Sequence, residues 1–507
     1  MDQFPFLEVT LLLPLLGALL LAVIPEEDTG AVRGAALVTS LVAFVVSLPL
    51  FWLYDPAVAG YQLVSRAEWL GPLGASLTVG VDGISLLLIL LTTFLTPIAV
   101  LSSWRGITTR VKSFHVAILV LEAAMIGVFA ARDLLLFFLF WEVMLVPMLL
   151  IIGVWGSEQR IAAAMKFFIF TAVGSLLMLA ALAYVYVIGG HTFDMTTLEQ
   201  NLAVMRESGA LGAREQVWLC AAFALAFAVK VPIIPVHTWL PHAHVQAPTA
   251  GSVILAAVLL KMGGYGFLRF CMPLFPQGAR ELAPLLAWLG AAGVVYGAFM
   301  ALAQVDLKRL VAYSSISHLG LVVAGLFAGL TVAPEAFRAD GHARALAGSV
   351  FQMIAHGLST GALFFLVGSI YDRRHTKLIE RLGGLARPAP LLATCFVMAT
   401  LGSVALPGTA GFVGEFLILL GIFENTPAMA AVGATGMVLG AVYMLYAVQR
   451  VFFGPATGEN AEVTDLDGVE LAGVVPLLLA TLALGLFPGP FLARLEPALR
   501  SLAALGG

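Results

Sequence analysis

The chain has 507 residues and a formal net charge of −4; 61% of its residues are apolar and only 11% are charged. Soluble domains carry about 25% charged residues, so this composition excludes a soluble enzyme, a secreted disulfide scaffold and a disordered tail. The weak acidity removes the electrostatic case for nucleic acid. With a mean hydropathy of +1.00, an integral membrane protein remains.

In chain order, apolar stretches predict helices at 7–24, 35–52, 84–101, 114–130, 134–152, 162–188, 216–235, 248–270, 283–303, 310–332, 346–370, 390–425, 428–453 and 470–493. Each is close to the roughly 20 residues that one crossing requires. A barrel strand needs only about ten residues with alternating polarity, and no such alternation is evident. The expected fold class is therefore all-α and polytopic, with about fourteen transmembrane helices joined by short loops. Met1–Phe6 has no positive n-region and no small-residue cleavage site follows, so 1–24 reads as a retained first helix. If that helix runs inward, the inner loops hold a modest excess of Lys and Arg, concentrated in Tyr371–Pro388. An even helix count then places both termini outside.

Cys220, Cys271 and Cys395 are isolated in apolar sequence, with no C-x-x-C arrangement. Ligands for iron–sulfur clusters, thiolate zinc and covalent haem are missing. There is no dinucleotide fingerprint and no Walker-type loop. No cofactor or metal is expected in this chain.

The informative residues are ionisable groups in the middle of predicted helices: Glu122, Glu142, Lys230, Lys261 and Glu415. Each costs roughly 2.5–3.5 kcal/mol at mid-membrane, so each needs a partner, water or a function. A structural ion pair that locks helices together accounts for any single one. Five in one chain point instead to coupled titrating sites.

Two predicted helices are also broken. Lys230 is followed by Pro232, Pro235 and HTWLPHAHVQAPTAG, and Leu406–Gly411 interrupts a long apolar run just before Glu415. Exposed backbone at membrane depth survives only where it is buried or lines a wet cavity. Matched interruptions point to a transporter-type repeat with its ion path at the breaks; packing kinks explain each break singly but not their correspondence. Helices 4–8 and 9–13 form two groups of five, and an odd number inverts the second, so broken helices 7 and 12 correspond. The expected divisions are 1–113 for helices 1–3, 114–270 and 271–455 for the two inverted repeats, and 456–507 for an inner loop with helix 14. His237, His242 and His244 flank the first break, while His318 and His356 lie within helices. Proton relay, satisfied polar packing and haem ligation are the three readings of these imidazoles.

The segment VKVPIIPVHTWLPHAHVQAPTAGSVILAAVLLKMGGYG resembles the core signature of the antiporter-like subunits of proton-pumping NADH:quinone oxidoreductase, respiratory complex I. DLKRLVAYSSISHLG is similar to the matching segment of helices 9–10, and the likeness covers nearly the whole chain. Glu415 stands where the L and N types carry Lys, and the L type is longer, so the resemblance is to the M type. It implies that Glu142 and Lys230 form the input half of a proton channel. Lys261 and His318 would be the central relay and Glu415 the terminal site, with Glu122, His237 and His356 as accessories. It further implies a bacterial inner membrane, lipids, L- and N-type neighbours and a hydrophilic redox arm as partners. NADH, FMN, iron–sulfur and quinone chemistry would sit in those partner subunits. A multisubunit sodium/proton antiporter or a proton-pumping membrane hydrogenase would share the fold. A purely structural membrane scaffold is the contrasting class, disfavoured by the clustered charges.

Overall fold

The computed structural model describes residues 4–505 apart from 59 and 457. The chain begins with α1 (Phe6–Val23) and α2 (Thr29–Leu53), then a hairpin of β1 (Gln62–Leu70) and β2 (Ala75–Val81). There follow α3 (Gly83–Ser102), α4 (Val111–Ala130), α5 (Leu134–Trp155), α6 (Arg160–Ile188), α7 (Met195–Glu207), α8 (Ala213–Lys230), α9 (Trp239–Gln246) and α10 (Thr249–Leu274). The second half comprises α11 (Pro276–Leu302), α12 (Leu307–Thr331), α13 (Ala339–Arg374), α14 (Pro390–Ser403), α15 (Ala410–Asn425), α16 (Pro427–Phe452), α17 (Gly468–Leu486) and α18 (Gly489–Ala504).

Twelve of these helices are long and apolar enough to cross a membrane. The expected fourteen also counted 216–235 and 390–425. Both stretches are interrupted: α8 ends at Lys230 before α9 begins at Trp239, and α14 ends at Ser403 before α15 begins at Ala410. The layering follows burial. Helices α10, α12 and α13 are almost wholly enclosed, whereas α1, α2, α16 and α17 turn most of their apolar surface outward, as lipid-facing helices do.

Aspartates start many of the helices. Asp82 Oδ1 accepts from the Ile84 and Ser85 N–H groups, Asp133 from Leu135 and Leu136, Asp194 from Thr197, Asp306 from Arg309 and Asp467 from Val469 and Glu470. Each side chain satisfies amide donors that the helix itself leaves orphaned, a contribution of about 1 kcal/mol apiece.

Three features depart from the expected all-helical pattern. The β-hairpin is the first. β2 is buried along nearly its whole length and β1 mixes charged with apolar residues, so neither shows the alternation that marks a strand. The second is a pair of amphipathic helices, α7 and α18, whose charges removed them from a search for apolar runs. The third is the end of the chain: the run predicted at 470–493 stops at Leu486, and α18 restarts at Gly489 behind Pro488. Leu495, Leu499 and Leu502 bury one face of α18, and Arg494 Nε donates to the Phe51 carbonyl at 2.9 Å. That contact places α18 on the same face of the molecule as the hairpin.

The hairpin turn needs glycine at Gly74. Its φ is +66°, and a Cβ there would lie 2.5 Å from the His191 carbonyl oxygen. Gly74→Val combines left-handed strain of about 1–3 kcal/mol with that clash, so limited proteolysis of vesicles should cut within 62–81 faster in the variant than in the parent. Equal cleavage would show that the turn tolerates a side chain.

Candidate functional site

At the end of α8, Lys230 is buried, with its ammonium 4.9 Å above the Trp141 ring and 5.8 Å from that of Phe167. Glu142, half-buried on α5, is the charged group that acts on it, but the two do not form an ion pair within 4 Å. Aromatic faces therefore supply part of the electrostatic partner that the ammonium lacks. The break after Lys230 is closed by Trp239, whose indole N–H donates to the Val229 carbonyl at 2.9 Å. This satisfies a carbonyl that the helix ending would otherwise leave bare in an apolar medium. His237 lies in the break and meets Tyr296 of α11, Nε2 to hydroxyl, at 3.2 Å. Glu122 is fully buried on α4 and faces Thr96 of α3, although the Thr96 hydroxyl donates to Thr92.

The central helices bring four of the predicted residues into one line. Lys261 is fully buried on α10 between two π-helical stretches, Leu255–Leu259 and Phe267–Cys271. The wider π turn frees carbonyls from the regular ladder, and the Lys261 ammonium donates to one of them, Ala256. It also donates to His356 Nδ1 of α13 at 2.7 Å. The His356 and His318 rings follow at a centroid separation of 5.7 Å. His318 Nδ1 on α12 then donates to Glu415 Oε1 on α15 at 2.8 Å. With Nδ1 of each ring engaged, both Nε2 atoms are buried without a protein partner. His356, expected only as an accessory, is thus the direct neighbour of Lys261.

Five residues of this region escaped the list of predicted sites. Gln352, one turn before His356 on α13, donates from Nε2 to Glu415 Oε1 at 3.0 Å; its spacing of four residues from a histidine was the available signal. Tyr443 of α16 is buried beside Glu415 and Ser314. His244 of α9 stacks on Phe364 at 4.4 Å and 8°, with Lys308 and Lys261 as the charges nearest to it. The Lys308 ammonium donates to the Ala247 carbonyl at 2.6 Å, and Lys377 donates to Val245 at 2.9 Å. Two cations therefore hold the C-terminal carbonyls of α9, where the helix dipole favours them. Beside them a cavity of about 300 Å³, lined by Lys308, Lys377, Asp372, Glu158 and Ser103 among others, lies on the face opposite the hairpin.

The line comprises groups able to hold or pass one proton each: an ammonium, two imidazoles and a carboxylate, drawn from four helices and sealed from bulk water. Residues 131–440 match the family described as NADH:quinone oxidoreductase/Mrp antiporter, TM. Over 96% of its length and 96% of the other's, the chain is 46% identical to a protein named NADH-quinone oxidoreductase subunit M from Rhodobacter capsulatus. A chain of respiratory complex I from Thermus thermophilus with bound NADH has the same fold, with a TM-score of 0.88 at 34% identity, covering 99% of this chain and 100% of that one. A chain of the Mrp complex from a Dietzia species gives 0.81 at 20% identity over 99% of each chain, a likeness of fold alone.

The approach of α13 to α15 depends on small residues. A Cβ on Gly414 would lie 2.8 Å from the Gln352 Cα, and one on Gly348 would lie 2.5 Å from the Ile418 amide nitrogen. Gly414→Val should force the helices apart at an overpacking cost of about 1–3 kcal/mol, lowering the thermal midpoint and the folded yield in detergent. An unchanged midpoint would mean that the approach is not limited by this glycine.

Proposed function

The chain belongs to the family of membrane subunits common to NADH:quinone oxidoreductase and Mrp antiporters, and we propose that it is the M-type, proton-translocating subunit of an NADH:quinone oxidoreductase. The observation that carries the reading is the buried line Lys261–His356–His318–Glu415. A proton leaving the Lys261 ammonium passes to His356 Nδ1, and the ring releases one from Nε2. His318 accepts at Nε2 and hands its Nδ1 proton to Glu415. Each imidazole gives up a proton at one nitrogen as it gains one at the other, so neither is consumed. Water between the two Nε2 atoms completes the path. Glu142 and Lys230 load the line from the first half of the chain, Glu415 discharges it, and Glu122 and His237 act as accessories.

Counting α8 with α9, and α14 with α15, as one crossing each gives fourteen helices, arranged as inverted units over 114–270 and 271–455. Both termini then lie on the outer side of a bacterial inner membrane. NADH, FMN, iron–sulfur clusters and quinone react in partner subunits, through which L- and N-type neighbours and a hydrophilic arm drive this chain without redox chemistry of its own. A sodium/proton antiporter subunit is the second reading. Identity of 46% over 96% of the chain to a subunit M, against a likeness of fold alone to the Mrp chain, favours the first.

Glu415→Ala in the assembled complex tests the reading directly. Loss of a positioned proton-transfer group costs roughly 10²–10⁴ in rate, so NADH oxidation and proton uptake into proteoliposomes should fall together by at least about tenfold. NADH oxidation and proton uptake at the parental rates in an assembled Glu415→Ala complex would falsify the relay. Lys261→Arg keeps the charge but cannot release its proton at working pH, and it should be impaired nearly as severely as Lys261→Ala. If the Arg form pumped like the parent, position 261 would need only a static cation.

A further inference from the structure

One turn beyond Lys261, and on the same stripe of α10, stand Tyr265 and then Arg269. They extend from the relay toward the hairpin face over roughly 12 Å, at 1.5 Å per residue. A polar ladder from a buried proton carrier to a surface is either an outlet or a barrier, and the chemistry of its members decides which. The Tyr265 hydroxyl donates to the Phe129 carbonyl at 3.0 Å and accepts from Arg269 Nε at 3.3 Å. Arg269 pairs with Asp82 at 2.6 Å, and both side chains are buried. The Tyr61 ring lies beside two guanidiniums, 3.0 Å from that of Arg132 and 4.8 Å from that of Arg269.

Arg269, Tyr61 and Asp82, the three groups at the centre of this contact, are not suited to passing a proton. Arginine keeps its charge in proteins. Burial, opposed by Arg269 and Arg132, holds the Tyr61 phenol well above its ordinary value, so it keeps its proton. Burial works to raise the Asp82 carboxyl, but Arg269 and the Ser85 N–H outweigh it and keep it below the usual carboxylate range. Glu199 on α7 also faces Arg132 and Arg269, and burial leaves it raised. Two arginines thus face Asp82 and Glu199, and Asp194 adds a further carboxylate beside Glu199. Fixed arginine cations of this kind exclude protons from membrane pores.

We propose that Arg269, seated on Asp82 and stacked with Tyr61 and Arg132, is a proton barrier that closes the hairpin face of the first half, so that protons on Lys261 leave only sideways through His356 and His318. This rests on the relay reading above. The contact that holds the barrier comes from Asp82, which also starts α3 directly after β2, so the hairpin region and the helix carrying Lys261 are tied at one ion pair.

Two variants break the same pair with opposite charge consequences. Arg269→Gln removes the cation paired with Asp82 and leaves only Arg132 to oppose that carboxylate, whereas Asp82→Asn leaves both cations in place. The purified complex is reconstituted into liposomes, without NADH, and a valinomycin–potassium potential drives passive proton flux read by an internal pH dye. Arg269→Gln should leak several-fold faster than the parent, Asp82→Asn should stay tight, and adding Lys261→Ala to Arg269→Gln should close the leak. Equal leakage from Arg269→Gln and Asp82→Asn would assign the pair to packing alone, and a tight Arg269→Gln complex would overturn the barrier. Should Arg269→Gln not assemble, the double variant Asp82→Asn/Arg269→Gln, in which neither member of the pair is left charged alone, makes the same comparison against Asp82→Asn. A pumping-defective Glu415→Ala beside a tight Arg269→Gln defeats only the barrier, while a normal Glu415→Ala defeats the relay beneath it.

Discussion

His318 Nδ1 and Glu415 Oε1 meet at 2.8 Å across helices whose contacting residues are 97 positions apart in the chain. In an apolar interior such a contact stabilises both partners chiefly by sparing each the desolvation that it would suffer alone. The same requirement recurs at Lys261, which is held by a freed backbone carbonyl and an imidazole rather than by a carboxylate. It recurs again at Lys230, which rests on aromatic faces. Much of the unusual backbone near the centre serves it: a π stretch exposes Ala256 to Lys261, and glycines let α13 and α15 close on Glu415.

The helix interruptions answer a complementary requirement, that backbone amides and carbonyls at membrane depth find partners. Trp239 closes the end of α8, and Lys308 and Lys377 hold the end of α9. These lysines sit beside the polar cavity on the face opposite the hairpin, whereas the hairpin end of α10 is filled by tyrosines and arginines. The two ends of α10 therefore differ in kind: one is polar and open, the other densely packed and fixed in charge. That asymmetry is what a directional proton path requires of its scaffold.

Mixed aromatic and ionic packing also explains why the first half tolerates a lysine without an adjacent carboxylate. Cation–π contacts contribute on the order of 1–2 kcal/mol when desolvated, enough to offset part of the cost of burial. A direct ion pair would hold the charge more firmly and exchange it less readily.

Composition, helix length and the two proline-rich breaks were legible from the residues, because the bilayer imposes a length and a polarity on every crossing and penalises each departure from them. Glu142, Lys230, Lys261, His318 and Glu415 stood out for the same reason: an ionisable group in an apolar run is conspicuous in one dimension. The hairpin was not legible, since β2 is buried on both faces and β1 mixes charged with apolar residues, and α7 and α18 were hidden by the charges that keep them at the surface. The promotion of His356 to the side of Lys261, the approach of Gln352 to Glu415 and the pairing of Arg269 with Asp82 came only from the tertiary structure. Those contacts join residues 95, 63 and 187 positions apart. Their partners are chosen by how helices cross and where glycines let them approach, and no local pattern along the chain encodes that geometry.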